Sequence, residues 1–549
     1  MKTTHALLVL YGAAAVVGVL VWSPIFKSDE AVPISEETGQ PAEGRVTGPA
    51  PGMAEGVVYD DRNGNGIRDT GEPGIRGVRV SDQRSVTATD NEGRWTLPNH
   101  NEAIYFVVKP RGYMTPLSED NLPSHYYIHK TTEALPLEGP TVQPTGPLPE
   151  SIDFPLVRQD EPDRFEALFL GDPQPRDVEE VNYLAHDVLE EIVGTDAAFA
   201  VTLGDIAFDN RETYLPYIRA TGRVGIPFYN THGNHDANYD GEDTYEHFET
   251  WRTLFGPRYY SFDYGPVHFI ILSDVLFPER GDSYITGLGQ TQLEWLEEDL
   301  SYVPTDQLVV LAMHIPLTPA ESTPDFARLY ELLKNHTHTL SFSAHSHVVS
   351  QGFLTDEHGW LAPTPHHHIN AGATCGRWWG GARDETDIPH ATSSDGTPNG
   401  YFVVTFDGDD YSTRFKAARR PADYQMQVQA PDEVEGSQLA ETPVLVNFFN
   451  GNERAVVEMA VGDSGEWVPM VFSPQIDPLY ARVTQRESGQ RASVARHMWE
   501  GSLPSGLPVG GHLIRIRAVD MYGQEFSASR ILRVSGESTP ASRPPAGSD

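Results

Sequence analysis

The sequence predicts a multidomain chain in which a central α/β domain is flanked by an N-terminal β-sandwich and a C-terminal β-rich module. Three observations predict it. A length of 549 residues exceeds what one hydrophobic core serves. Between Arg164 and Asp407, apolar runs of strand length alternate with residues at helical spacing, the pattern of strand-helix-strand units. On either side, short β-branched and aromatic runs are separated by turn residues. The expected divisions are 1–26 signal peptide or membrane anchor, 27–53 linker, 54–160 N-terminal β-sandwich, 161–410 central domain, 411–535 C-terminal β-rich module and 536–549 disordered tail.

In chain order, Lys2 precedes an uninterrupted apolar run from Ala6 to Trp22. The run is near the lower limit for spanning a bilayer and lacks an Ala-x-Ala cleavage site at its far end, which favours a retained anchor over a cleaved signal peptide. Either device exports the body of the protein, to the periplasm or cell surface, membrane-anchored or secreted. Residues 27–53 are rich in Pro, Gly, Glu and Ala and read as a tether.

Gly56-Val57-Val58-Tyr59, Gly77–Ser81 and Gly93–Leu97 then read as strands of a small sandwich. Within it, Asp61, Asn63, Asn65, Ile67, Asp69 and Glu72, with Gly66 between, follow the spacing of an EF-hand calcium loop. Its flanks are strands, so a structural calcium in a β-sandwich loop is expected, against an ion-free Asn-Gly turn.

The central domain carries the chemistry. Phe165–Leu170 runs into Asp172 and Gln174, and Ala197–Leu203 into Gly204-Asp205. Ile226–Tyr229 runs into Gly233-Asn234-His235-Asp236, Gln307–Met313 into His314, and Thr337–Ser343 into Ala344-His345-Ser346-His347. Every one of these side chains lies just past an apolar strand, so one sheet edge can gather them. Val178, Val181, Leu184, Val188, Leu189 and Ile192 recur at helical spacing, and Tyr259–Tyr264 with Val267–Leu272 reads as a hairpin in which His268 is packed.

These ordered blocks resemble the calcineurin-like metallophosphoesterase superfamily, in its bacterial subgroup with N- and C-terminal β-modules. The resemblance implies a metal-dependent phosphoric ester hydrolase with two divalent ions, among which Mn, Fe, Zn and Mg are not distinguished. Asp205 would bridge them; Asp172, Gln174 and His347 would complete one, and Asn234, His314 and His345 the other. A hydroxide between the ions would be the nucleophile, and His235 would assist the leaving oxygen, with Asp236 orienting its ring. Gln174 stands where the family usually has His, and Ala344 where it has Gly. An amide oxygen is a harder, weaker donor than imidazole, so the expectation is a first ion held more loosely or a leaning toward manganese, magnesium or calcium.

Weaker candidates for the substrate rim are Arg211, His366, Arg377 and Trp378. His366-His367-His368 reads as an exposed turn with one His near the cleft, or as a third metal cluster. Trp378 and Trp379 read equally as a rim loop or as core. Cys375, the single cysteine, has no activating neighbour.

A net charge of -39 argues against nucleic acid as a partner. A phosphorylated small molecule or lipid is expected instead, as a mono- or diester. The alternative is a cell-envelope binding protein whose site Gln174 has weakened. The C-terminal module, with strands such as Val444–Phe449 and His512–Ala518, offers no chemistry of its own.

Overall fold

The computed structural model describes residues 52–318, 321–462, 466–487 and 491–536, all within one compact unit, Ala42–Asp549. The expected anchor, nearly all of the linker and the tail from 537 onward lie outside the described residues. Among the described residues no helix is long and apolar enough to cross a membrane.

Two mixed sheets form the central domain. The first runs in the order Phe228–Thr231, Phe199–Leu203, Arg164–Leu170, Gly400–Asp407, Asp410–Ala417. Its first three strands are parallel and its last two are added antiparallel. The second runs Tyr260–Tyr264, Val267–Ile271, Val309–Ala312, Thr339–Ser343, His366–Ala371, Val349–Leu354, with four parallel strands between antiparallel edges.

Strand alternation decides which residues join the sheets face to face. Phe165, Ala167 and Phe169 enter the core shared with Phe269, Leu311 and Phe342. Leu168 and Leu170 point the other way, onto Leu184, Val188 and Ile192 of the covering helix. Phe169 and Phe342 stack at 4.0 Å across the layer.

The helical run expected from Val178 to Ile192 is present but widens by one π-turn at Ala185–Leu189. Asp177 caps its start by accepting from the Glu180 amide. The π-turn carries buried Asp187, which accepts from the Trp379 indole at 3.1 Å, Asn399 at 2.7 Å and Arg419 at 2.7 Å.

Two four-stranded sheets make the N-terminal sandwich, closing over Val58, Val80, Trp95, Tyr105 and Phe154. It is bolted to the central domain by buried charge. Arg79 reaches Asp263 at 2.8 Å and Asp299 at 3.1 Å, and His268 touches the same two carboxylates at 2.7 and 3.0 Å. Lys109 pairs with Glu161 at 2.6 Å. A strap within this module lays Pro140 and Val142 on the helix Glu249–Phe255, where Glu249 accepts from the Val142 amide.

The C-terminal module is likewise a sandwich, of four and five strands about Phe448, Trp499, Ile514 and Leu532. One boundary differs from expectation. Asp410–Ala417, read as the start of this module, completes the first central sheet instead. Its hairpin with Gly400–Asp407 points Phe415 and Ala417 into the central core.

Candidate metal centre

The loops after five parallel strands meet at one rim, the first sheet bringing Asp172, Gln174, Asp205, Asn234 and His235 and the second His314, His345 and His347. Ligand atoms of Asp205, His314 and His345 all lie within 4.8 Å of one another. His314 Nε2 is 3.4 Å from Asp205 Oδ2 and 3.1 Å from both Asn234 Oδ1 and His345 Nδ1. Gln174 Nε2 donates to Asp205 Oδ2 at 2.7 Å, and His347 Nε2 lies 3.8 Å from Asp172 Oδ2. Two imidazoles are oriented from behind. His314 Nδ1 bonds the Leu203 carbonyl at 2.9 Å and His347 Nδ1 that of Gly376 at 2.6 Å, which turns both Nε2 atoms toward the cluster.

Close packing here demands unusual backbone. Asp172, Gln174, Asp205, His345 and His347 all have positive φ, between +30° and +63°. Non-glycine residues rarely adopt it, and such strain collects at functional sites. Gly204 and Gly233 are required for another reason. A Cβ would sit 2.4 Å from His314 Nδ1 at the first and 2.1 Å from Asp205 Oδ1 at the second.

The electrostatics fit a cation. Both Asp172 carboxylate oxygens and Gln174 Oε1 are buried without a hydrogen-bond partner, a costly condition unless a ligand satisfies them. Burial drives the Asp172 carboxyl well up. Burial also raises Asp205, but His314 and His235 outweigh it and hold that carboxyl below its ordinary range. Burial lowers His314, yet adjacent Asp205 and Asp172 bring it to about 10, whereas burial takes His345 to about 3 and His347 to about 4. Burial and mutual charge thus set these carboxyls and imidazoles against one another, an arrangement that divalent ions would stabilise. Carboxylate, amide and imidazole donors together suit first-row divalent metals.

Family models match the chain in three stretches: the calcineurin-like phosphoesterase model at 166–349, its N-terminal module at 62–135 and its C-terminal module at 368–526. The chain is a calcineurin-like phosphoesterase. No curated protein matches it. Among solved structures, the purple acid phosphatase PPD1 from yellow lupin (Lupinus luteus) seeds is 12% identical over 66% of each chain, with a TM-score of 0.35. CopC from Methylosinus trichosporium OB3b is 18% identical over 20% of this chain and 89% of its own, with a TM-score of 0.14. Neither likeness carries an argument here.

In this calcineurin-like phosphoesterase the partner of His235 differs from expectation. Asp209, not Asp236, meets its ring, with Oδ1 at 2.7 Å from Nδ1, and the Tyr239 hydroxyl donates to the same oxygen at 2.6 Å. Asp236 turns back into the fold. It accepts from the amides of Gly233 at 2.8 Å, Ile206 at 3.1 Å and Ala207 at 3.0 Å and from the Tyr214 hydroxyl at 3.1 Å, tying two ligand-bearing loops together. Asp274, equally unexpected, does the same for the third loop by accepting from the amides of His314 and Ile315. It follows the apolar run ending at Leu272, the same signal that marked the other loops.

One rim candidate is overturned. His366, with His367 and His368, is neither an exposed turn nor a metal cluster but part of a buried strand. Its Nε2 lies 2.6 Å from Ser341 Oγ and its Nδ1 2.8 Å from Thr339 Oγ1. Burial lowers His367 and His368 to about 3, so these imidazoles are neutral core residues. Arg211 directs Nη1 to the Ala237 carbonyl at 2.7 Å and Nη2 toward Glu138 at 3.7 Å. Arg377 donates to Ser394 Oγ at 2.9 Å. The tryptophans divide: Trp379 is core, and Trp378 stays half-buried, 5.0 Å from the His347 ring. Tyr284, absent from the sequence candidates, brings its hydroxyl to 3.5 Å from His345 Nε2.

The N-terminal loop folds around its own carboxylates. Asp61 accepts from the amides of Gly64, Asn65 and Gly66. Asn63 and Asn65 donate to Asp69, and Glu72 accepts from the amides of Arg62 and Asp69. The Ile67 side chain is exposed.

Proposed function

We propose that this chain hydrolyses phosphate mono- or diesters at a centre of divalent metal ions held by Asp172, Gln174, Asp205, Asn234, His314, His345 and His347. Bound ions there would polarise the phosphoryl group and make water nucleophilic at neutral pH. The observation that carries the reading is Asp172, a buried carboxylate with no hydrogen bond to either oxygen, set beside Asp205 and three imidazoles. His235, ring-bonded to Asp209, holds a proton on the open side of the cluster. Its side chain is a quarter exposed, and the Asp209 bond leaves Nε2 as the atom able to meet a leaving oxygen.

Metal content of the full chain, with turnover of mono- and bis-p-nitrophenyl phosphate, tests this. Activity that follows bound metal and is abolished by Asp205→Asn supports it. A protein that takes up no manganese, zinc, iron or magnesium sinks it.

A second reading, a cell-envelope binding protein, draws on Gln174, whose amide nitrogen already occupies Asp205. Metal uptake without turnover would favour it. Two further assignments belong to the proposal: export behind the apolar N-terminus, and a structural calcium among Asp61, Asn63, Asn65, Ile67, Asp69 and Glu72. Chelation that leaves unfolding of the N-terminal module unchanged would remove the calcium.

A further inference from the structure

One side of the metal centre is walled by two aromatic rings. Phe208, half-buried, stacks on His235 with centroids 4.4 Å apart and planes at 30°. Trp378 meets Phe208 edge-on, at 5.3 Å and 81°, and reaches the His347 ring. The pair therefore spans from the His235 ring to the His347 ring.

Core packing accounts for only part of Trp378, which lies half-buried against the cluster that holds Tyr214 and Trp251. Its neighbour Trp379 is buried with its indole N–H bonded to Asp187. Trp378 instead keeps a face to solvent and has φ of +56°, a region bulky residues seldom occupy. The loop fixes that conformation through the Arg377 amide on the Thr392 carbonyl and the Gly380 amide on the carbonyl of Trp378 itself. Its indole N–H is buried without a hydrogen-bond partner, a donor in want of an acceptor.

The arginines nearest in sequence to the rim each have a protein acceptor, while Arg377 Nε is buried with none. Arg176 pairs with Glu180, Arg211 with the Ala237 carbonyl, and Arg377 with Ser394. A monoester dianion is best matched by guanidinium groups in addition to metal. A diester carries less charge and a second organic group, which a flat apolar wall receives by stacking.

We propose that Phe208 and Trp378 bind the organic group of the substrate, and that the substrate class is a phosphodiester bearing an aromatic or similarly flat ring. The inference deepens the phosphoesterase reading and rests on it.

The test compares phenyl p-nitrophenyl phosphate with methyl p-nitrophenyl phosphate on the metal-loaded full chain. The two share the p-nitrophenyl leaving group and charge and differ only in whether the second ester group is a ring. The p-nitrophenyl monoester is the third substrate. The expected kcat/KM for the phenyl ester is about tenfold above that for the methyl ester, the size of one good stacking contact, and both exceed the monoester. Trp378→Ala and Phe208→Leu should move the phenyl-to-methyl ratio toward one, and Trp378→Phe should recover most of it.

A wild-type ratio near one, a ratio unmoved by Trp378→Ala, or preference for the monoester overturns the proposal. Calorimetric binding of diphenyl against dimethyl phosphate separates its failure from that of the parent reading. If no ester is cleaved, the phosphoesterase reading falls. Tighter binding of the diphenyl compound that Trp378→Ala abolishes still supports the wall, and equal binding of the two compounds overturns it.

Discussion

At the residue scale, Asp209, four positions after Asp205, takes the role that sequence order suggests for Asp236. Asp236 directly follows His235 in sequence, yet the tight turn at Asn234–Asp236 sends its carboxylate back to the Gly233 amide. Adjacent residues leave such a turn in different directions, so sequence proximity misleads there. Asp209, at φ +57°, reaches the ring from the neighbouring loop. Asp209→Asn is expected to lower kcat by about a hundredfold with a smaller change in KM, because the orienting acceptor for the imidazole is weakened. Asp236→Asn is expected to cost about 1–3 kcal/mol of stability by leaving buried amides poorly paired, as denaturant titration would report. Gln174→His should increase the metal retained after dialysis, since imidazole binds first-row ions more strongly than an amide oxygen.

The metal-site candidates themselves were legible because each follows an apolar strand. The histidine triplet was misread because three polar letters suggested a turn, whereas Ser341 and Ser343 on the paired strand satisfy the rings inside the sheet. The tryptophans were ambiguous for a physical reason. Composition does not reveal which of two neighbours faces inward.

At the scale of elements, the seam between the N-terminal sandwich and the central domain rests on Arg79, Asp263, His268 and Asp299, with His336 and Tyr302 nearby. Burial lowers His268, but Asp299 and the Asp263 hydrogen bond outweigh burial and Arg79, so its folded pKa is raised. Such a group stabilises fully below its unfolded pKa of about 6.5 and loses that contribution as pH rises through the folded value. Burial raises Asp263, but Arg79 and His268 bring it down to about 2, so its contribution is present above an unfolded pKa of about 3.9 and is lost as pH falls toward 2. Stability contributed by the seam should therefore be greatest between about pH 4 and 6.5. His268→Gln should flatten the alkaline side of a plot of unfolding midpoint against pH. Arg79→Ala, which leaves His268 as the one cation facing buried Asp299 and partly buried Asp263, is expected to cost about 3–5 kcal/mol. Beyond a packed His268, the seam was not visible in the sequence, since partners 184 and 220 positions apart carry no common local pattern.

For the whole molecule, the three-part architecture was legible from strand and helix periodicity, whereas Asp410–Ala417 joined the central sheet. It was misread because a hairpin strand at the end of one domain has the same alternation as a strand at the start of the next. The net charge of -39 acts on the entire fold. Self-repulsion of that size should make the thermal midpoint rise with sodium chloride between low and physiological ionic strength, as scanning calorimetry would show.

The first central sheet also dictates an order of events during synthesis. Arg164–Leu170 lies between Phe199–Leu203 on one side and Gly400–Asp407 on the other, so one flank of this apolar strand waits for more than two hundred further residues to leave the ribosome. Until then its amides and carbonyls form an open template for any passing strand. Nascent chains halted before Gly400, and proteolytic fragments that end there, should be captured by chaperones or precipitate even with every metal ligand already made.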